Sequence, residues 1–210
     1  MNSQDVKSEE VKSALKQRLA VLAASLVSGA LIAFAPVWAQ TPAVAAAAPS
    51  EAVPPTRDPT AHFFDQGFGN LQEEAQTAKA ENKLGVFIMF EQADCPWCAK
   101  MMSTVLNQVP VQDYYRKHFR IVQVDIKGDN PLTDFTGKEI TEKEFAFAQR
   151  VRATPVFAFF GTDGKQLTKF TGAAKDPREF MMLGEFVVSG AYKTQNFTAY
   201  KREKSAGSAS

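Results

Sequence analysis

At 210 residues and 45% hydrophobic content, the chain is long enough for one domain with a real core plus additional segments. Its net charge is +1 and its basic residues are scattered, which excludes a nucleic-acid-binding stripe and a strongly charged partner. Seventeen phenylalanines predict an aromatic-rich core, and two cysteines are the whole thiol inventory.

The first 39 residues read as a secretory signal. Lys7, Lys12, Lys16 and Arg18 precede an uncharged stretch, residues 19–39, that ends in the small-residue pattern Val37-Trp38-Ala39. The competing reading is a retained membrane anchor, because the apolar run is long enough to span. Ser25, Ser28, Gly29 and Pro36 weaken that reading, and cleavage after Ala39 is the expectation. Residues 40–60 are Ala- and Pro-rich without apolar periodicity, and read as a flexible linker. A folded domain is expected over residues 61–201, followed by a disordered tail, residues 202–210.

Within the domain, residues 71–81 read as a helix and residues 86–91 as a strand. A helix follows over residues 99–106, and residues 111–118 look like a further helical turn or two. The alternating, β-branched run 121–126 reads as a strand. Residues 127–140 form a polar insertion. Thr141 with Glu144 resembles a capping box for a helix reaching Arg150, with Phe145, Phe147 and Ala148 as candidate buried positions. Residues 156–160 and 166–171 read as strands joined by the turn Thr162-Asp163-Gly164-Lys165, and Gly172 breaks the second. A last helix is expected over residues 177–192. A βαβ unit followed by a ββα unit predicts an α/β domain with a mixed central sheet and helices on both faces.

The chemistry-bearing motif is Cys95-Pro96-Trp97-Cys98, where the first clear strand feeds a helix. Two thiols at this spacing let one attack a disulfide and the other resolve the product. Cys95 is expected at the helix N-terminus, where unpaired N–H groups and the helix dipole lower a thiol pKa. Cys98, one turn further in, is expected to be more buried and less acidic, so Cys95 attacks and Cys98 displaces the substrate. Pro96 needs no N–H partner in a first helical turn and helps fix the spacing of the sulfurs. A zinc site would need more Cys or His, and His62 and His118 are the only histidines, neither at ligand spacing. Haem attachment would need a histidine where Ala99 stands. A purely structural disulfide is disfavoured because so short a loop restrains little of the unfolded chain. No metal and no cofactor are therefore expected beyond the redox-active pair itself.

This motif, with Thr154-Pro155 before the next strand, resembles the thioredoxin superfamily over about residues 61–200. The resemblance implies the three-layer thioredoxin-like fold, a cis proline at Pro155 facing the cysteines, and backbone groups of Thr154 offered to a bound peptide. Residues 90–98 and the ending Gly190-Ala191-Tyr192-Lys193 are similar to exported thioredoxins of the SoxW type, as is the insertion ending in Thr141-Glu142-Lys143-Glu144-Phe145-Ala146. That likeness implies a periplasmic oxidoreductase that exchanges disulfides with exported proteins and draws electrons from a membrane thiol carrier; with no dedicated association segment, a monomer is expected. It departs from cytoplasmic thioredoxins in having Pro-Trp between the cysteines and Met89 in place of a buried aspartate. Glu91 is then the nearest candidate proton acceptor for the resolving thiol, a solvated strand-end carboxylate being the plainer reading. Asp94 would oppose the lowering of the Cys95 pKa. Lys100 reads as solvent-facing, and Met101 and Met102 read as core. Trp97 is expected to lie exposed beside the disulfide as a substrate contact. An oxidase or isomerase of folding proteins is the alternative function, and a non-enzymatic peptide-docking module a third.

Overall fold

The computed structural model describes residues 54–67 and 69–207. The expected signal segment, residues 1–39, and residues 40–53 of the expected linker lie outside the described residues. Linker residues 54–60 do not: Thr56 bridges Gln108, the Val109 N–H donates to the Pro55 carbonyl at 2.9 Å, and helix α1 (Pro59–His62) already begins there. The folded part thus extends ahead of residue 61, held by strand-like pairing that an Ala/Pro composition does not reveal.

Helix α2 (Leu71–Ala80) is capped by the Asn70 side chain, and buries Leu71, Glu74, Ala75 and Ala78 along one stripe. Strand β1 (Gly85–Glu91) is buried along all but its last residue, as expected of a central strand covered on both faces. Helix α3 (Pro96–Thr104) starts directly after Cys95, earlier than the pattern at residues 99–106 indicated. Helix α4 (Val109–His118) is a full ten-residue helix rather than a turn or two, with Pro110 in its first turn. Strand β2 (Phe119–Asp125) follows.

The polar insertion contains a small antiparallel hairpin of β3 (Pro131–Thr133) and β4 (Glu139–Thr141). The Asp134 carboxylate folds its loop by accepting from the Thr136 and Lys138 N–H groups. The capping box forms as expected at helix α5 (Glu142–Ala148). Phe145 is buried, but Phe147 and Ala148 are exposed and Ala146 takes the inner position. On so short a helix only one narrow stripe faces the sheet, and Phe147 falls off it. Strands β5 (Val156–Gly161) and β6 (Gln166–Thr171) form the predicted hairpin. Gly164 supplies the left-handed conformation of its turn, at φ +74°.

Helix α6 (Pro177–Val188) ends before Gly190, which adopts φ +76°, so the expected helix to residue 192 is broken. A further helix, α7 (Phe197–Gly207), runs through positions 202–207 of the expected tail. It is anchored by Phe197 and Tyr200, whose rings lie 5.6 and 5.3 Å from that of Phe186.

The sheet order is β2-β1-β5-β6. β1 and β2 are parallel, with Gly85 opposite Phe119 and Glu91 opposite Asp125. β5 is antiparallel to β1, with Phe90 opposite Val156, and β6 antiparallel to β5. Alternation along β1 divides the core into two layers. Phe87 and Met89 join the cysteines, Met101, Tyr115 and Phe180 on one face; Val86, Ile88 and Phe90 join Leu71 and Phe145 on the other. The result is the expected three-layer α/β arrangement. Asp65, only 4% exposed at its side chain, closes the outer edge of β2 by exchanging hydrogen bonds with Ile121. It also pairs with Arg116 and Arg120, each at 3.2 Å, and Arg120 reaches on to Glu74 at 2.8 Å. This network fastens the N-terminal segment and α2 to the edge strand.

Candidate active site

Cys95 and Cys98 are joined in a disulfide at the C-terminal end of β1, with Cα atoms 5.2 Å apart. Cys95 is the N-cap of α3, and its Sγ accepts the Cys98 backbone N–H at 3.0 Å. One of the helix's otherwise unpaired donors is therefore aimed at this sulfur, and Pro96, in the first turn, brings no N–H of its own. Exposure does not separate the cysteines, at 6% and 4%. The expected greater burial of Cys98 is thus marginal, and their difference lies in position along the helix. A thiolate at Cys95 would keep the Cys98 N–H as a charge-assisted donor; one at Cys98 has no N-cap position to occupy.

Trp97, at 57% exposure, projects beside the buried pair, with the Lys100 ammonium 5.2 Å from its ring centroid. Met89 and Met101 are fully enclosed in the core layer that contains the cysteines. The Thr154–Pro155 bond is cis, with Thr154 half-buried and Pro155 buried. Because Val156 lies opposite Phe90, this pair enters the sheet at the end from which β1 leads to Cys95. The Pro155 carbonyl accepts the Gly172 N–H at 2.9 Å, and Ala174 lies buried in the cysteine cluster. The loop after β6 therefore completes the site. Sequence reasoning treated Gly172 only as a strand breaker, because its contact with Pro155 is made only in the folded chain.

Glu91 is half-buried at the end of β1, and among the described residues its carboxylate has no hydrogen-bond partner. Burial raises its pKa, and the neighbouring carboxylates Asp125 and Glu142 push it the same way. A carboxyl raised in the fold contributes stability that is complete below its ordinary range and is lost as pH rises through the raised value. Glu91→Gln should therefore be more stable than the parent at neutral pH and indistinguishable from it below about pH 4. Urea midpoints at the two pH values check this, and an equal difference at both would overturn it.

A buried disulfide that caps a helix and forms within a two-residue loop is built for exchange rather than for holding a fold together. With this sheet order behind it, the class is that of the thioredoxin-like thiol:disulfide oxidoreductases. The family model described as thioredoxin-like domain matches residues 71–187, more than half of the chain, and the chain belongs to that family. A thioredoxin-fold protein from Helicobacter pylori superposes with a TM-score of 0.53 at 19% identity, covering 69% of this chain and 93% of that one. A thioredoxin from Thermus thermophilus gives 0.45 at 22% identity, covering 55% and 82%. No curated protein matches the chain.

Proposed function

We propose that the chain is an exported, periplasmic thiol–disulfide oxidoreductase of the SoxW type that reduces disulfides in exported proteins. The observation that carries the exchange chemistry is the Cys95 sulfur at the head of α3, receiving the Cys98 N–H. In the reduced protein the Cys95 thiolate attacks a client disulfide. One client sulfur bonds to Cys95, and the other leaves as a thiolate that takes a proton from solvent. Cys98 then gives up its proton and attacks the Cys95 sulfur. The second client thiolate leaves, and the Cys95–Cys98 disulfide has taken the place of the client's. Two electrons have passed to the client, and a membrane thiol carrier restores the pair by the same exchange run against the protein.

Trp97 and the Thr154–Pro155 segment present the client peptide to the pair. Glu91, with its raised pKa, receives the Cys98 proton, directly or through water. The protein works as a monomer with no cofactor beyond its own disulfide. The direction of electron flow is set by the reduction potential. Equilibration of the full chain with glutathione should give a value near that of thioredoxin, about −270 mV. A value near −120 mV, the strong-oxidant regime, would overturn the reductant reading in favour of a disulfide donor or isomerase.

A further inference from the structure

Beside the active end of the sheet lies an open groove of about 420 Å³ lined by Ile126, Lys143, Glu144, Phe147, Val151 and Arg152. It is joined to the disulfide from two sides. The Ile126 N–H donates to the Glu91 carbonyl at 2.9 Å, and Glu91 stands four residues before Cys95, a span of at most about 14 Å. Arg152 stands two residues before Thr154.

The groove's charges are unequally committed. The Glu144 carboxylate is held by the Thr141 N–H and hydroxyl, and Lys143 is paired with Asp129. Arg152 has no carboxylate partner among the described residues; its guanidinium lies 4.7 Å over the Phe147 ring, which is 65% exposed. A largely exposed aromatic ring and a guanidinium with no carboxylate partner among the described residues thus line the groove beside the proline loop.

We propose that this groove is a client-selecting subsite that takes an extended stretch of the client polypeptide with a carboxylate beside an apolar side chain. Arg152 receives the carboxylate, and Phe147 with Ile126 and Val151 receives the apolar group. At about 3.3 Å per extended residue, the upper bound of about 14 Å puts the recognised acidic residue within about four positions of the cysteine under attack. This rests on the disulfide-exchange reading above, and adds to it which clients are favoured.

The test uses the pre-reduced full chain and peptides bearing one internal disulfide. The peptides differ only in carrying Glu or Lys four positions from the cysteine, with Leu or Ser next to it. Each single-turnover rate is divided by that of a small aromatic disulfide with the same variant. An exposed charge pair is worth up to about a factor of five. The Glu peptide should lead the Lys peptide by about that factor, and the lead should vanish in Arg152→Ser and shrink at high salt. The advantage of Leu over Ser should vanish in Phe147→Ala. Equal rates for Glu and Lys peptides, or a lead that survives Arg152→Ser, would overturn the proposal. Cysteine-free versions of the peptides titrated onto the oxidised full chain give the same contrast without chemistry. Absence of exchange with that contrast intact would sink the oxidoreductase reading and leave the groove standing. Self-association of the chain abolished by Phe147→Ala would assign the groove to a second copy and overturn the proposal.

Discussion

Replacing Cys98 with alanine should turn the protein from a turnover catalyst into a trap. The substitution removes the resolving thiol but keeps the backbone N–H at position 98, the group that donates to the Cys95 sulfur at 3.0 Å. Cys95 therefore retains its attacking character, forms the mixed disulfide, and has nothing within the chain to release it. Uncatalysed disulfide rearrangement takes minutes to hours, so the adduct should survive to non-reducing electrophoresis. Cys95→Ser should instead give no adduct and no exchange above background. Serine is a good N-cap, so α3 keeps its start and the loss falls on the nucleophile alone. Thermal unfolding should confirm that the Ser variant is folded. Mixed disulfide forming through Cys98 in that variant would reverse the roles assigned here.

Most of what positions this site was legible in the sequence because the signals were local. A strand of consecutive apolar residues before Cys95, a capping box at Thr141 and Glu144, and an Asp163-Gly164 turn each specify their geometry within a few residues. The mixed sheet with helices on both faces followed from the alternation of strands and helices. What was missed depends on distant partners. The segment before residue 61 is ordered because Thr56 and Arg57 pair with Gln108 and Asn107, about fifty positions away. Helix α7 forms because Phe197 and Tyr200 find Phe186 and Phe170, although its last turn is small and polar. The Gly172 contact with Pro155 is likewise a tertiary fact. Glu91 was identified from its place on the strand, but the Asp125 and Glu142 carboxylates that help raise its pKa come from β2 and α5.

Phe87 and Phe147 carry the same side chain, and the sequence reading placed Phe147 in the core. The structure separates them sharply. Phe87 is fully buried on the cysteine-bearing face of β1, with the rings of Phe63, Tyr115, Phe157, Phe159 and Phe180 centred 5.1–6.1 Å away. Truncation there removes buried area, several aromatic pairings and the support beneath the layer that holds the disulfide. Phe87→Ala should cost about 3–5 kcal/mol, lowering Tm by on the order of 10 °C for a chain of this size. Phe147→Ala loses only solvent-facing surface and its contact with Arg152, and should change stability by less than about 1 kcal/mol. The pair of measurements also checks the selecting groove. A ring that contributes little to folding, yet stands open beside the active end of the sheet with a cation over its face, is free to serve a bound peptide. Comparable destabilisation by both substitutions would show that Phe147 packs into the fold, and would remove the apolar half of that subsite.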